Sequence, residues 1–167
     1  AFSNPIIAVI IGAVFTGIIQ SSAASVAILQ ALSLAGGVTY GMAIPIIMGQ
    51  NIGTCVTALI SSIGVSRNAK KVAVVHLSFN IFGTLICLIP FCLGDMIFNW
   101  AFTDWEISPL MIAIVHSIFN VLTTAILLPF AKQLEKLANW VIKDKDGEKE
   151  KEVILDERTL SVPTVAV

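Results

Sequence analysis

A chain of 167 residues in which 56% are apolar and only 13% charged, with a mean hydropathy of +0.90, lies outside the composition of soluble globular domains, where about a quarter of residues carry charge. A formal net charge of -1, without a basic stripe interleaved with aromatics, gives no basis for nucleic-acid binding. The cysteines Cys55, Cys87 and Cys92 lie within apolar segments and lack the paired spacing of a zinc site or a disulfide framework, so they read as packing thiols.

The distribution of charge is more decisive. No Asp, Glu, Lys or Arg occurs from Ala1 to Ser66, from Val72 to Gly94 or from Ile107 to Ala131. A charge at the centre of a spanning helix costs roughly 2.5 to 3.5 kcal/mol on the insertion scale, so windows of this length are what residence in a bilayer selects. The first window lacks a basic leading region and outruns the apolar stretch of about 7 to 15 residues in a secretory signal, so it belongs to the mature fold. The chain opens on Ala1 and closes after a charged tail, and we expect it to be a piece of a longer polypeptide.

Asn4 and Pro5 start a first apolar run that stops at Gln20-Ser21-Ser22; a second runs from Ala23 to Ala35 and ends at Gly36-Gly37. Each arm, at about 1.5 Å per residue, is roughly 21 Å long and short of a hydrocarbon core of about 30 Å. Two short arms meeting at a polar tip read as a re-entrant helical hairpin. The run from Val38 to Val65 is long enough to span, but Pro45 and Gly49-Gln50-Asn51-Ile52-Gly53-Thr54 interrupt it, so we expect a broken transmembrane helix.

Val72 to Leu93 and Pro109 to Phe130 read as two full transmembrane helices. Arg67, Lys70 and Lys71 precede the first, Asp95, Asp104 and Glu106 lie between the two, and Lys132 and Lys136 follow the second. The positive-inside rule therefore puts the 66–71 loop and the tail in the cytoplasm and the 95–107 loop outside, in a multi-pass cell-membrane protein. Residues 131–142 form an amphipathic interfacial or stem helix, with Leu134, Leu137, Ala138, Val141 and Ile142 on one face. Lys143 to Glu152 reads as a solvated linker.

Helix interruptions free backbone groups that hydrocarbon cannot satisfy, so they survive only where buried in protein or lining a wet cavity. Gln20, Ser21, Ser22 and Ser25 mark the first interruption, and Gln50, Asn51, Thr54 and Thr57 the second. Facing each other, half-helix amino ends would suit an anion, and hydroxyls and carbonyls a hard cation. The competing reading is that these side chains only join helices. A second pattern, Val75-His76-Leu77-Ser78-Phe79-Asn80, recurs as Val115-His116-Ser117-Ile118-Phe119-Asn120. Its His, Phe and Asn share a helix face, either as proton relay or ligand, or as packing by two related helices in comparable positions. Residue types alone reach only a small solute and a cation.

The run Gly12 to Ser25, with its Gln20-Ser21-Ser22, together with Gly49 to Thr57 and His76 to Asn80, resembles the sodium-dependent phosphate cotransporter family, strongly over about 4–91 and weakly beyond. The resemblance implies two inverted copies of this unit, of which the chain is most similar to the second. It implies substrate binding by Gln20, Ser21, Ser22, Asn51 and Thr54, and sodium binding within Gln20, Ser22, Ser25, Gln50, Thr54 and Thr57. Ala23 stands where the family often has a third Ser, one hydroxyl fewer at the tip. Residues 155–167 look like the approach to a cytoplasmic four-helix domain of the PhoU type.

The expected architecture is an all-α membrane protein, one half of an inverted-repeat transporter: residues 1–131 form the transporter repeat and 132–167 a cytoplasmic stem and linker. The expected activity is sodium-coupled transport of inorganic phosphate by alternating access, without enzymatic chemistry or a cofactor beyond the coupling ion. Partners are the bilayer, phosphate, sodium and a second repeat or homodimer partner. A non-transporting phosphate sensor and a passive anion channel are the alternatives.

Overall fold

Several helix boundaries follow local chemistry. The computed structural model describes residues 4–143. In order these form α1 (Pro5–Ile19), α2 (Ser22–Leu34), α3 (Tyr40–Ser61), α4 (Arg67–Phe98), α5 (Pro109–Leu127) and α6 (Ala131–Val141), with 3-10 turns at Ala101–Asp104 and Leu128–Phe130. Asn4 caps α1, its side chain accepting from the Ile6 and Ile7 amides, with Pro5 as the first helical residue. Ser108 and Pro109 start α5 in the same way. Beyond α2, Gly36 and Gly37 take φ of +84° and +81°, conformations that a side chain would strain.

Three helices, α3, α4 and the run from α5 into α6, are long and apolar enough to cross a bilayer, whereas α1 and α2 have 15 and 13 residues and are not. Large apolar side chains cover their outer faces: Ile6, Ile10, Val14 and Ile18 on α1, Val72 and Ile89 on α4, Leu110, Ile118 and Val121 on α5 are all exposed. In water that surface would be a liability; against lipid it is the expected exterior. The chain is an all-α membrane protein. The residues beyond Lys143, where the linker and the approach to a further domain are expected, lie outside the described residues.

α3 corrects the expectation of a broken helix. It runs without interruption from Tyr40 to Ser61 through Pro45 and through the Gly49 to Thr54 stretch. Pro45 lies in the second turn, where the missing amide costs one bond to the Gly41 carbonyl. Further along, the polar side chains reinforce the helix: Asn51 Nδ2 donates to the Ile47 carbonyl at 3.0 Å and Thr54 Oγ1 to the Gln50 carbonyl at 2.9 Å. The glycines serve close packing. A methyl group on Gly49 would fall on the Val9 carbonyl, one on Gly53 on the Ala13 carbonyl and the Thr16 side chain, and one on Gly12 on the Ile46 carbonyl. Backbone therefore lies against backbone, in the manner of small-residue contacts between membrane helices. Contacts advance together along both helices, so α1 runs parallel to α3.

α4 is also longer than expected, beginning at Arg67 and ending at Phe98, with Pro90 inside it. The segment after α2 pairs with the segment before α5: Tyr40 N–H donates to the Trp105 carbonyl and Ile107 N–H to the Val38 carbonyl, both at 3.0 Å. Gln30 Nε2 on α2 donates to the Pro109 carbonyl at 2.8 Å. Pro5 shares a cavity with Thr39, Asp95 and Asp104. Both outer ends of the α1–α2 hairpin thus lie at the end of the bundle that carries the α4–α5 connection. At the opposite end α6 packs on the start of α4, where Lys71 and Val75 face Glu135 and Ala138. Gly49→Val tests this contact directly: overpacking it costs about 1–3 kcal/mol, so the thermal midpoint of the complete protein in detergent should drop. An unchanged midpoint would mean that α1 and α3 are not in backbone contact.

Candidate functional site

The reversal between α1 and α2 takes two residues. Gln20 closes α1 in the left-handed region, φ +59°, its amide donating to the Thr16 carbonyl at 2.7 Å. Ser21 is extended and caps α2, its Oγ accepting from the Ala24 amide at 3.3 Å. The amides of Ser22 and Ala23 then have no partner within the helix. Because α1 is held against α3 with Gly17 beside Val56, the reversal stops beside the last turns of that helix, and the start of α2 runs back past Thr54 and Asn51.

Ser22, the first residue of α2, lines a cavity of about 290 Å³ with Asn51 and Thr54 of α3, His76, Phe79 and Asn80 of α4, and His116 and Asn120 of α5. Four helices thus contribute to one polar space, and no Asp, Glu, Lys or Arg lines it. The three asparagines are held by one device. Asn51, Asn80 and Asn120 each donate Nδ2 to the carbonyl four residues earlier, of Ile47, His76 and His116, at 3.0, 2.9 and 2.8 Å. Each donation fixes the carboxamide on its own helix and leaves the oxygen with its accepting capacity. Thr54 likewise spends its proton on its own helix and keeps its lone pairs. The arrangement offers uncharged oxygens to a cation and the free amides of a helix start to an anion.

A second polar cluster lies behind the tip. Thr16 Oγ1 and Ser25 Oγ are 2.7 Å apart, and Gln50 Nε2 donates to the Ser25 carbonyl at 3.1 Å and to Ser25 Oγ at 2.9 Å. All three side chains are buried, and Gln50 Oε1 has no partner. The cluster joins both arms of the hairpin to α3, and it borders a mainly apolar cavity of about 190 Å³ shared with Phe15, Ile28 and Ile46. Neutral hydrogen bonds between membrane helices contribute about 0.6 kcal/mol each on average, so the cluster supplements the glycine contact.

Of the residues anticipated from sequence, Ser22, Asn51 and Thr54 meet in the cavity, while Ser25 and Gln50 meet in the cluster behind it. Gln20 is exposed at the tip, and Ser21 is half-buried with its hydroxyl engaged in the cap. Thr57 Oγ1 donates to the Thr54 carbonyl at 2.9 Å and does not line the cavity. The recurring His and Asn of α4 and α5, for which packing was the favoured reading, stand in the cavity wall; the repeat itself was their signal. Thr16 was not anticipated. Once the reversal is placed at Gln20 and Ser21, Thr16 and Ser25 are equidistant from it, and that spacing would have found the pair.

Apolar helices of spanning length, lining an uncharged polar cavity between them, define a helical membrane protein. The chain belongs to the Na+/Pi-cotransporter family, which it matches over residues 1–98. Among its relatives is YqeW of Bacillus subtilis (strain 168), an uncharacterized protein, 32% identical over 141 residues, covering 83% of this chain and 44% of that protein. YjbB of Escherichia coli (strain K12), provisionally named an inorganic phosphate export protein, is 26% identical over 162 residues, 95% of this chain and 29% of that protein. Sodium-dependent phosphate transport protein 2A of Rattus norvegicus is 37% identical over 92 residues, 52% of this chain and 14% of that protein. The chain therefore spans less than half the length of each of these relatives. No solved structure matches it.

Replacing Ser25 by Ala removes the hydroxyl that joins Thr16 to Gln50 and leaves buried polar groups unpaired, a loss of about 1–3 kcal/mol. Gln20→Ala, at an exposed position, should stay within about 0.5 kcal/mol of the wild type. Thermal unfolding in detergent distinguishes them; equal midpoints would remove the structural role of the cluster.

Proposed function

We propose that this chain is one repeat of a sodium-coupled transporter of inorganic phosphate, with residues 1–131 as the membrane repeat and 132–167 as a cytoplasmic stem leading to a further domain. The observation that carries the reading is the cavity at the hairpin tip, where Ser22, Asn51, Thr54, Asn80 and Asn120 surround the start of α2 without a single permanent charge. Phosphate is held at Ser22 and the unpartnered first amides of α2. An anion in such a space, at membrane depth and without a fixed counter-charge, is strongly disfavoured unless a cation enters with it. Sodium supplies that charge, coordinated by the oxygens of Asn51 and Thr54 and their neighbours, so coupling follows from neutrality. Gln50 Oε1, buried without a partner beside the Ser25 and Thr16 hydroxyls, offers a second set of oxygens for sodium. Gln20 and Thr57 stand outside both places and are given no ligand role.

The α1–α2 arms, each too short to cross, form a re-entrant hairpin that enters from the outer side, with the α4–α5 connection outside and the start of α4, whose first turn takes in the expected 66–71 loop, inside. A second, inverted repeat, on the same polypeptide or on a partner, closes the other side of the site. Alternating access then consists of the hairpin unit moving against that second repeat. The family, and the name of the rat relative, support phosphate and sodium as the pair transported. The name of the Escherichia coli relative favours a second reading, in which the same site carries phosphate outward.

Proteoliposomes of the complete protein test both readings. Ser22→Ala, Asn51→Ala and Thr54→Val should each raise the KM for phosphate or sodium by at least about tenfold, the equivalent of about 1.4 kcal/mol. Unaltered kinetics in all three would remove the cavity from the transport route. The direction in which a sodium gradient drives labelled phosphate, relative to the end of the bundle that carries the start of α4, separates uptake from export; flux indifferent to sodium would indicate a channel, and binding without flux a sensor.

A further inference from the structure

His76 and His116 stand in the same cavity wall, on different helices, each one turn before an asparagine whose amide is tied back to the histidine's own carbonyl. They are the only side chains of that lining able to gain a positive charge. The elements around the cavity contribute Ser22 from α2, Asn51 and Thr54 from α3, Phe79 and Asn80 from α4 and Asn120 from α5, none of which titrates near neutrality. Beside this lining stands the buried Cys55, whose thiol lies 3.6 Å from the His76 carbonyl and 3.7 Å from the Asn51 carbonyl and is thereby turned toward the helix backbones. Packing alone gives no reason for a titratable side chain at both places, because their backbone carbonyls, rather than their rings, hold Asn80 and Asn120.

We propose that His76 and His116 are anion-recognition residues: the imidazoles, when protonated, donate to a tetrahedral oxyanion held at the start of α2, and so make phosphate affinity depend on pH within the physiological range. This rests on the assignment of the cavity to phosphate. Imidazole is the side chain whose charge an adjacent anion can switch near neutrality. The sign follows from linkage. An anion that binds the protonated rings more tightly raises their proton affinity, and lowering the pH raises affinity for the anion by the same factor. The two histidines approach the cavity from helices other than those that carry Ser22, Asn51 and Thr54, so they add a second wall to the site rather than duplicate the first.

The test measures phosphate affinity of the complete protein in nanodiscs, with sodium saturating, from pH 5.5 to 8.5. The pH dependence of the wild type is compared with that of His76→Gln, His116→Gln and the double variant. Phosphate's own ionisation is common to all four proteins, so the difference between profiles reports the imidazoles. The wild type should gain roughly tenfold more affinity on acidification than the double variant, with single variants between; tenfold corresponds to about 1.4 kcal/mol. A double variant that keeps the wild-type profile would overturn the proposal. A wild type that binds no phosphate at any pH would overturn instead the assignment of the cavity on which it rests. Should the double variant fail to fold, imidazole NMR titration of the unaltered protein decides: phosphate must raise the midpoints of the two cavity histidines, assigned from the single variants, and unmoved midpoints would refute their role.

Discussion

Backbone contact between α1 and α3 is the constraint on which the rest of this structure depends. Helices of ordinary composition pack with axes about 8–10 Å apart, and side chains fill the space between them. Here Gly12 on one helix and Gly49 and Gly53 on the other leave that space empty, and carbonyls of Val9, Ala13 and Ile46 occupy the positions where methyl groups would stand. In lipid no hydrophobic force drives helices together, so close packing over such a stripe is what fixes one helix on another. A helix of 15 residues is too short to cross a bilayer; what fixes α1 lengthwise in the bundle is this contact. The level at which the chain turns back at Gln20 and Ser21 is set as a result, and so is the level of the polar tip.

Everything polar at depth is organised around that level. The Thr16, Ser25 and Gln50 cluster satisfies most of its hydrogen-bonding capacity internally and joins the hairpin to α3. The cavity in front of it does the reverse. Its asparagines and Thr54 direct their protons to their own helices and leave oxygens over, which is a poor arrangement for gluing helices and a good one for accepting a guest. Side chains that serve only to join helices bond across the interface, as Thr84 Oγ1 does to the Met48 carbonyl at 3.3 Å. The two groups of side chains thus differ in where their protons go.

Much of the fold was legible in the sequence because its punctuation is local. Asn4 with Pro5, Ser108 with Pro109, and Gly36 with Gly37 each act through their own backbone, and all three stand where the sequence put a boundary. The polar stop at Gln20 to Ser22 was legible for the same reason. The stretch Gly49 to Thr54 was misread because glycine has two uses that a single sequence does not distinguish: weakening a helix and letting another backbone approach it. Only the partner, Gly12 and its neighbours on α1, decides between them, and that is tertiary information. The histidines illustrate the opposite case. Their repeat forty residues apart was visible, but the convergence of His76, Asn80, His116 and Asn120 on the space before Ser22 depends on how α4 and α5 cross, which no spacing rule supplies.

The complete protein, reconstituted in a bilayer with sodium and phosphate, offers the most direct test. A density map at side-chain resolution should show α1, up to the Gln20–Ser21 reversal, packed directly on an unbroken α3, with tetrahedral density between Ser22 and the asparagines of α4 and α5. A hairpin separated from α3 by intervening side chains, or bound phosphate in some other part of the molecule while this cavity is closed, would contradict the account.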